Sequence, residues 1–273
     1  MFISELPRVE VMGTPVTLLQ SYKQATEYVV ECVEKRTKIS CVAINPEKIQ
    51  RAHEDEKLRE FVQSADLCIC DGVGAAVAMR ILFGLKIPRI TGVQLFMYLA
   101  ACAEERGLRI FLLGGTPESN DGAYEKLRSM HSQLHIAGRH HGYFTDDEAV
   151  IDEINDSQPD MLFVALGSPR QETWISRYRE QLNVSFCMGV GGSFDVLSGK
   201  AHLAPQMFRK TGTEWLYRLL CQPKRIRRQI VLPVFVLGLV WHYFSAKVIP
   251  HEHTQINLTP LDENDTHEAL VIH

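Results

Sequence analysis

Asp71 is the residue most directly placed to do chemistry. It follows the apolar run Leu67-Cys68-Ile69-Cys70 and precedes Gly72 and Gly74, so its carboxylate should stand at a strand end beside a turn of small residues. An ionised carboxylate there accepts a proton from a hydroxyl nucleophile within hydrogen-bond reach. Capping a helix through Ala75 to Leu82 is the plainer use of the same residue. Asp195, after Gly191-Gly192-Ser193-Phe194, is a second acid near a strand end, suited to structural or sugar-binding work.

Three further segments start with a capping residue and a proline: Asn45-Pro46, Thr116-Pro117 and Ser168-Pro169. Such residues satisfy the free N–H groups of a first helical turn, and proline is pre-shaped for the next position. Ser168 and Gln171 have the spacing of a capping box. Helix N-termini also attract anions, and the glycines Gly114-Gly115 and Gly191-Gly192 would let a nucleotide or diphosphate approach the backbone. Gly114, Gly115, Gly191 and Gly192 are therefore candidate substrate-binding residues, although they equally suit tight turns. Thr116, Arg170, Gln171 and Asp195 beside them are candidates too, but for Asn45, Thr116 and Gln171 taken alone capping is the better explanation.

Positioning these groups takes a repeated unit. Apolar runs of strand length at Cys41 to Ile44, Leu67 to Cys70, Ile110 to Leu113, Met161 to Leu166 and Ser185 to Met188 are each followed by a polar or glycine-rich turn and then a pattern of helical period. Continuous apolar runs alternating with helices predict parallel βα units. The expected fold is α/β, an open, mostly parallel, Rossmann-like sheet with helices on both faces, whose ligands sit at the carboxyl ends of the strands. Val9 to Leu18 reads as a short hairpin. Residues 1–202 form the predicted catalytic core, 203–249 a helical appendage and 250–273 an acidic, disordered tail.

The 273 residues carry a formal net charge of -4, with 45% hydrophobic and 23% charged residues, an ordinary globular balance with no sign of a nucleic-acid partner. The charge is unevenly spread. Residues 203–249 hold eight Lys or Arg against one acid, Glu214, and residues 250–273 hold five acids and no Lys or Arg; the basic module predicts an anionic partner. Ile230 to Phe244 is almost wholly apolar, yet as a helix it spans only about 22 Å against the ~30 Å hydrocarbon core, which fits an interfacial or docked helix. Seven cysteines without a C-x-x-C pair predict reduced thiols in a cytosolic compartment, and no secretory signal is expected at Met1 to Gly13. Val77 and Phe194 break the two glycine patterns that would mark a dinucleotide-binding oxidoreductase, and no P-loop is present. His140-His141 lacks metal-ligand spacing, and Cys68 and Cys70 should be small core residues on one sheet face.

Six spaced motifs resemble one family. Asn45-Pro46-Glu47-Lys48, Ala65-Asp66 through Asp71-Gly72, Pro88-Arg89-Ile90-Thr91-Gly92, Phe111 to Pro117, Gly167-Ser168-Pro169-Arg170-Gln171-Glu172 and Gly189-Val190-Gly191-Gly192 are similar to the WecG/TagA/CpsF glycosyltransferases, glycosyltransferase family 26. So is the closing Glu214-Trp215-Leu216-Tyr217-Arg218-Leu219-Leu220 with Pro223, Arg225 and Arg228. The resemblance implies an inverting, metal-independent transferase without a cofactor. It would move a sugar from a UDP donor to a polyprenyl-diphosphate-linked sugar as a peripheral enzyme on the cytoplasmic face of the membrane. It makes Asp71 the general base, lines the site with Asn45, Arg89 and Gln171, and closes Arg218, Arg225 and Arg228 over the donor diphosphate. Ala43 stands where some members have Thr. Homo-oligomers occur in such families, and nothing in the composition identifies an interface. An oxidoreductase and a non-catalytic, membrane-associated sugar-nucleotide binder are the alternatives.

Overall fold

The computed structural model describes residues 6–202, 204, 205, 207, 208, 213–221 and 231–248. A hairpin opens the chain, with β1 (Arg8–Val11) antiparallel to β2 (Thr14–Thr17). Its two-residue turn, Met12-Gly13, has positive φ at both positions, as the strand twist of a tight hairpin requires. The remaining strands are β3 (Ile39–Ile44), β4 (Leu67–Cys70), β5 (Arg109–Gly114), β6 (His135–His140), β7 (Met161–Ala165) and β8 (Phe186–Gly189). They form one six-stranded sheet in the order β4-β3-β8-β7-β5-β6, parallel throughout.

Alternation along each strand builds two cores. Val42, Ile44, Cys68, Cys70, Phe111, Leu113, Leu162 and Val164 face one layer, where α2 (Pro46–Glu54), α3 (Glu56–Ser64), α7 (Asp147–Ser157) and α8 (Arg170–Tyr178) contribute Ile49, Leu58, Ile151 and Ile175. Cys41, Leu67, Ile69, Ile110, Leu112, Met161 and Phe163 face the other, against α1 (Tyr22–Glu34), α5 (Gly92–Arg106) and α6 (Pro117–Met130) with Val29, Leu99 and Leu127. Burial of these runs on both faces is why they read as uninterrupted apolar segments. Cys68 and Cys70 lie together in the first core as expected, and Cys32, Cys41, Cys68, Cys70, Cys102 and Cys187 are free.

Three elements differ from the sequence reading. Strand β6 was not anticipated: at the sheet edge only one side needs pairing, and His135–His140 holds one large apolar residue, Ile136. Helix α8 starts at Arg170 with Pro169 at its N-cap and no side-chain cap bond, so the Ser168–Gln171 capping box does not form. Helix α4 (Val73–Phe83) is capped by Gly72, at φ 100°, without a side-chain bond, so Asp71 is not its cap.

Beyond α9 (Ser193–Leu197), the appendage contributes α10 (Glu214–Cys221) and α11 (Val231–Val248). Phe235 and Leu239 of α11 are buried in the core that holds α2, and Gly238 lies against Met12, whose Cε would stand 2.6 Å from a Cβ there. Leu237 and Trp241, 71% and 77% exposed, face outward. Among the described residues no helix is long and apolar enough to cross a membrane. Arg225, Arg228 and the segment from residue 250 lie outside the described residues.

Candidate active site

The candidate residues lie at the carboxyl ends of the strands. The chain leaves β7 for β8 on one side and β5 for β6 on the other, so the connections of these neighbouring strands diverge; ligands bind at such divergences in open α/β sheets. Asp71 extends β4 by one residue, its N–H donating to Ile44 O at 2.8 Å. Its Oδ2 accepts from Gly92 N, the first residue of α5, at 3.4 Å. This puts the acid at the positive end of a fifteen-residue helix, where negative charge is favoured.

Tyr22 holds that helix end. Its hydroxyl accepts from Thr91 N at 2.8 Å and donates to Gln94 Oε1 at 2.6 Å, while its ring stacks on Tyr98 at 5.0 Å. Burial pushes the Tyr22 hydroxyl above its ordinary 10.0, opposed by the Thr91 hydrogen bonds and reinforced by the Asp71 charge. Burial likewise pushes the Cys70 thiol up to about 12, with Asp71 adding and Arg89 opposing. The two thus share a neighbourhood with the half-buried Arg89. Asn45 borders it: its Oδ1 caps α2 by accepting from Lys48 N at 2.9 Å, and its Cβ lies 3.6 Å from where Gly72 would carry one.

A second group joins β7 to β8. Gln171, 3% exposed, accepts from Gly191 N at 3.0 Å through Oε1 and donates through Nε2 to Glu172 Oε1 at 3.1 Å. Its amide lies against Gly189, where a Cβ would approach Nε2 to 2.4 Å. Glu172 in turn pairs with Lys48 at 2.5 Å. Arg170, one residue earlier and exposed, sits over the Phe144 ring at 5.4 Å.

The third group lies beyond β5. Gly114 and Gly115 both have positive φ, and Gly115 is held on two sides, donating to Ala165 O at 2.9 Å and accepting from Gly142 N at 2.8 Å. Thr116 caps α6 by accepting from Ser119 N at 3.2 Å, and Lys200 Nζ also donates to its hydroxyl at 3.2 Å. Ser119 Oγ donates to Asp195 Oδ1 at 2.6 Å, which gives Asp195 a structural partner. The predicted residues therefore fall into three neighbouring clusters: Asn45, Asp71 and Arg89; Gln171 with Gly191 and Gly192; and Gly114, Gly115, Thr116 and Asp195. Arg218 belongs to α10. Among the described residues no three His, Cys, Asp or Glu side chains group as metal ligands.

Sequence reasoning missed Tyr22, Lys48, Ser119, Glu172 and Lys200. A signal existed for two of them. Lys48 precedes Ile49 and stands four residues before Ala52 on the buried side of α2, and Glu172 stands three before Ile175 on that of α8; ionisable residues on an apolar helix face require partners.

An open parallel sheet with an acid and a basic neighbour at its strand ends is the architecture of an α/β fold that binds its ligands at the carboxyl edge. A model of the glycosyl transferase WecG/TagA/CpsF family matches residues 9–248, and the chain belongs to that family. It is similar to the N-acetylglucosaminyldiphosphoundecaprenol N-acetyl-beta-D-mannosaminyltransferase of Bacillus spizizenii (strain W23), with 35% identity over 215 residues, 79% of this chain and 83% of that protein.

Proposed function

We propose that the protein transfers a sugar from a UDP donor, with inversion, to a sugar carried on a polyprenyl diphosphate, working peripherally on the cytoplasmic face of the membrane. The observation that carries the reading is Asp71 at the end of β4, grouped with Asn45 and Arg89 in the crevice. Asp71 takes the proton of the acceptor hydroxyl as that oxygen attacks the anomeric carbon. The bond from that carbon to the donor phosphate breaks, and UDP departs with the electron pair.

The charge gathering on the diphosphate needs preorganised cations. Arg218, Arg225 and Arg228 supply them in this reading, as bidentate forks that remain charged. The glycine loops at Gly114-Gly115 and Gly191-Gly192, with Thr116, Arg170, Gln171 and Asp195, hold the donor. N-Acetylmannosamine is the first sugar to try, given the name of the Bacillus relative; its uronic acid and glucose follow.

The experiment is transfer from a panel of UDP-sugars to a soluble polyprenyl-diphosphate-sugar analogue, with and without chelator. One UDP-sugar should support turnover that chelator leaves intact, and folded Asp71→Asn should lose activity by about 100-fold or more, the scale of general-base catalysis. Near-normal turnover in Asp71→Asn would sink the base assignment, and UDP binding without transfer would indicate a binding protein.

A further inference from the structure

Glu172 and Lys48 form an ion pair across the two helices that follow β7 and β3, with side chains only 1% and 7% exposed. Taking two charges out of water costs more than their attraction commonly returns, and replacing such a pair by apolar residues is often neutral or stabilising. Here the compensation is visibly incomplete, because Glu172 Oε2 is buried with no hydrogen-bond partner among the described residues. Stability is thus a poor reason for the pair. The remaining contact of Glu172 Oε1 is with Gln171 Nε2 at 3.1 Å.

That contact decides which way an amide points. A glutamine side chain has a donor end and an acceptor end of nearly the same shape. With a carboxylate against one end, the nitrogen must face it. The oxygen then faces Gly191 N–H, which it accepts at 3.0 Å. If the amide flipped, its NH2 would meet the N–H of Gly191 and its oxygen would meet the carboxylate, two repulsive contacts in a buried place. Lys48 holds the carboxylate in position from the opposite helix.

We propose that the Lys48–Glu172 pair is a positioning device. It sets the orientation of the Gln171 amide and thereby fixes the Gly191 backbone in the turn after β8. Neither residue touches substrate in this scheme. The consequence for donor binding rests on the reading given under Proposed function, in which that turn holds the UDP-sugar.

Two full-length variants differ by a single acceptor. Lys48→Met/Glu172→Gln removes both charges but keeps an oxygen for Gln171 Nε2; Lys48→Met/Glu172→Met removes the oxygen as well. Amide hydrogen exchange at Gly191, read by NMR without any ligand, tests the orientation directly. The methionine pair should exchange there at least about tenfold faster than wild type, the loss of roughly one hydrogen bond. The glutamine pair, whose own amide can offer Gln171 either an oxygen or an NH2 and so no longer enforces one orientation, should fall between, at about threefold, while melting temperatures remain comparable. Donor KM should rise in the methionine pair by a similar factor, with acceptor KM unchanged.

Unchanged Gly191 protection in the methionine pair overturns the proposal, as does wild-type protection in the glutamine pair, which would show that the charges do no positioning. Should the methionine pair fail to fold, Glu172→Leu/Lys48→Leu serves in its place, and Gln171→Met, which leaves the ion pair intact, must reproduce the same Gly191 exchange. If Gly191 exchange behaves as expected while wild type neither binds UDP nor uses UDP-sugars, the positioning role stands and the donor assignment falls.

Discussion

Gly189→Ala isolates the packing of Gln171 from every other property of the β8 turn. Gly189 does not have a positive φ, so alanine costs nothing in backbone conformation. Its Cβ would lie 2.4 Å from Gln171 Nε2, 2.9 Å from Cδ and 3.1 Å from Cγ. The amide must retreat by about 1 Å to reach ordinary van der Waals separation. It cannot do so freely, being buried and bonded at both ends, at 3.0 Å to Gly191 and 3.1 Å to Glu172. Moved that far, both bonds exceed hydrogen-bonding distance. Losing one neutral bond and one to a charged group costs about 2–4 kcal/mol, of which the reduced freedom of the unfolded chain returns about 0.4–1 kcal/mol. A net loss of about 2–3 kcal/mol should lower the melting temperature by roughly 5–10 °C for a chain of this size. Calorimetry on Gly189→Ala, Gln171→Ala and the double variant gives the check. Because Gln171→Ala removes the clashing amide, the double variant should be no less stable than Gln171→Ala alone. Additive effects, or a Gly189→Ala melting point equal to wild type, would refute the packing described for Gln171.

Gly114→Ala should be more severe, since its Cβ would stand 2.5 Å from the Ala165 carbonyl carbon at a φ of +116°; a loss above about 3 kcal/mol in urea unfolding is expected, and a loss below 1 kcal/mol would contradict the β5–β7 contact. Burial holds the Cys68, Cys70 and Cys187 thiols up at about 12 against an ordinary 9.0. A raised folded-state pKa is stabilising below the unfolded value and the benefit is lost as pH rises through the folded one, so urea midpoints should be level to about pH 8 and fall from pH 9 toward 12; a flat profile would count against the buried neutral thiols. Replacing exposed Leu237 and Trp241 by Asp should abolish cosedimentation with anionic lipid vesicles at unchanged melting temperature, and retained binding would remove α11 from the membrane-facing surface.

Most of the sheet was legible because five of its six strands are buried on both faces, and burial leaves a run such as Ile110 to Leu113 with no polar interruption. The edge strand His135–His140 carries no such run, and only its contacts reveal it, Gly138 lying against Phe111. Asn45 and Thr116 were legible as caps because capping is local, a side chain reaching a backbone group three residues on. Asp71 and Gln171 were not, since their partners, Gly92 and Gly191, are about 20 residues away and become neighbours only through the sheet. The pairing of Lys48 with Glu172 joins positions still further apart, and periodicity could at most have shown that each needed a partner.

The place of β8 has a consequence for how the chain comes into being. It is the last strand synthesised, yet it lies between β3 and β7, pairing Ile39 with Phe186, partners about 150 residues apart whose union carries a large loop-closure cost. Until it inserts, β3 and β4 belong to one fragment of sheet and β5, β6 and β7 to another, each presenting an apolar unpaired edge open to association. One event therefore removes both exposed edges and brings Asn45 and Asp71 into the same crevice as Gln171 and Gly191.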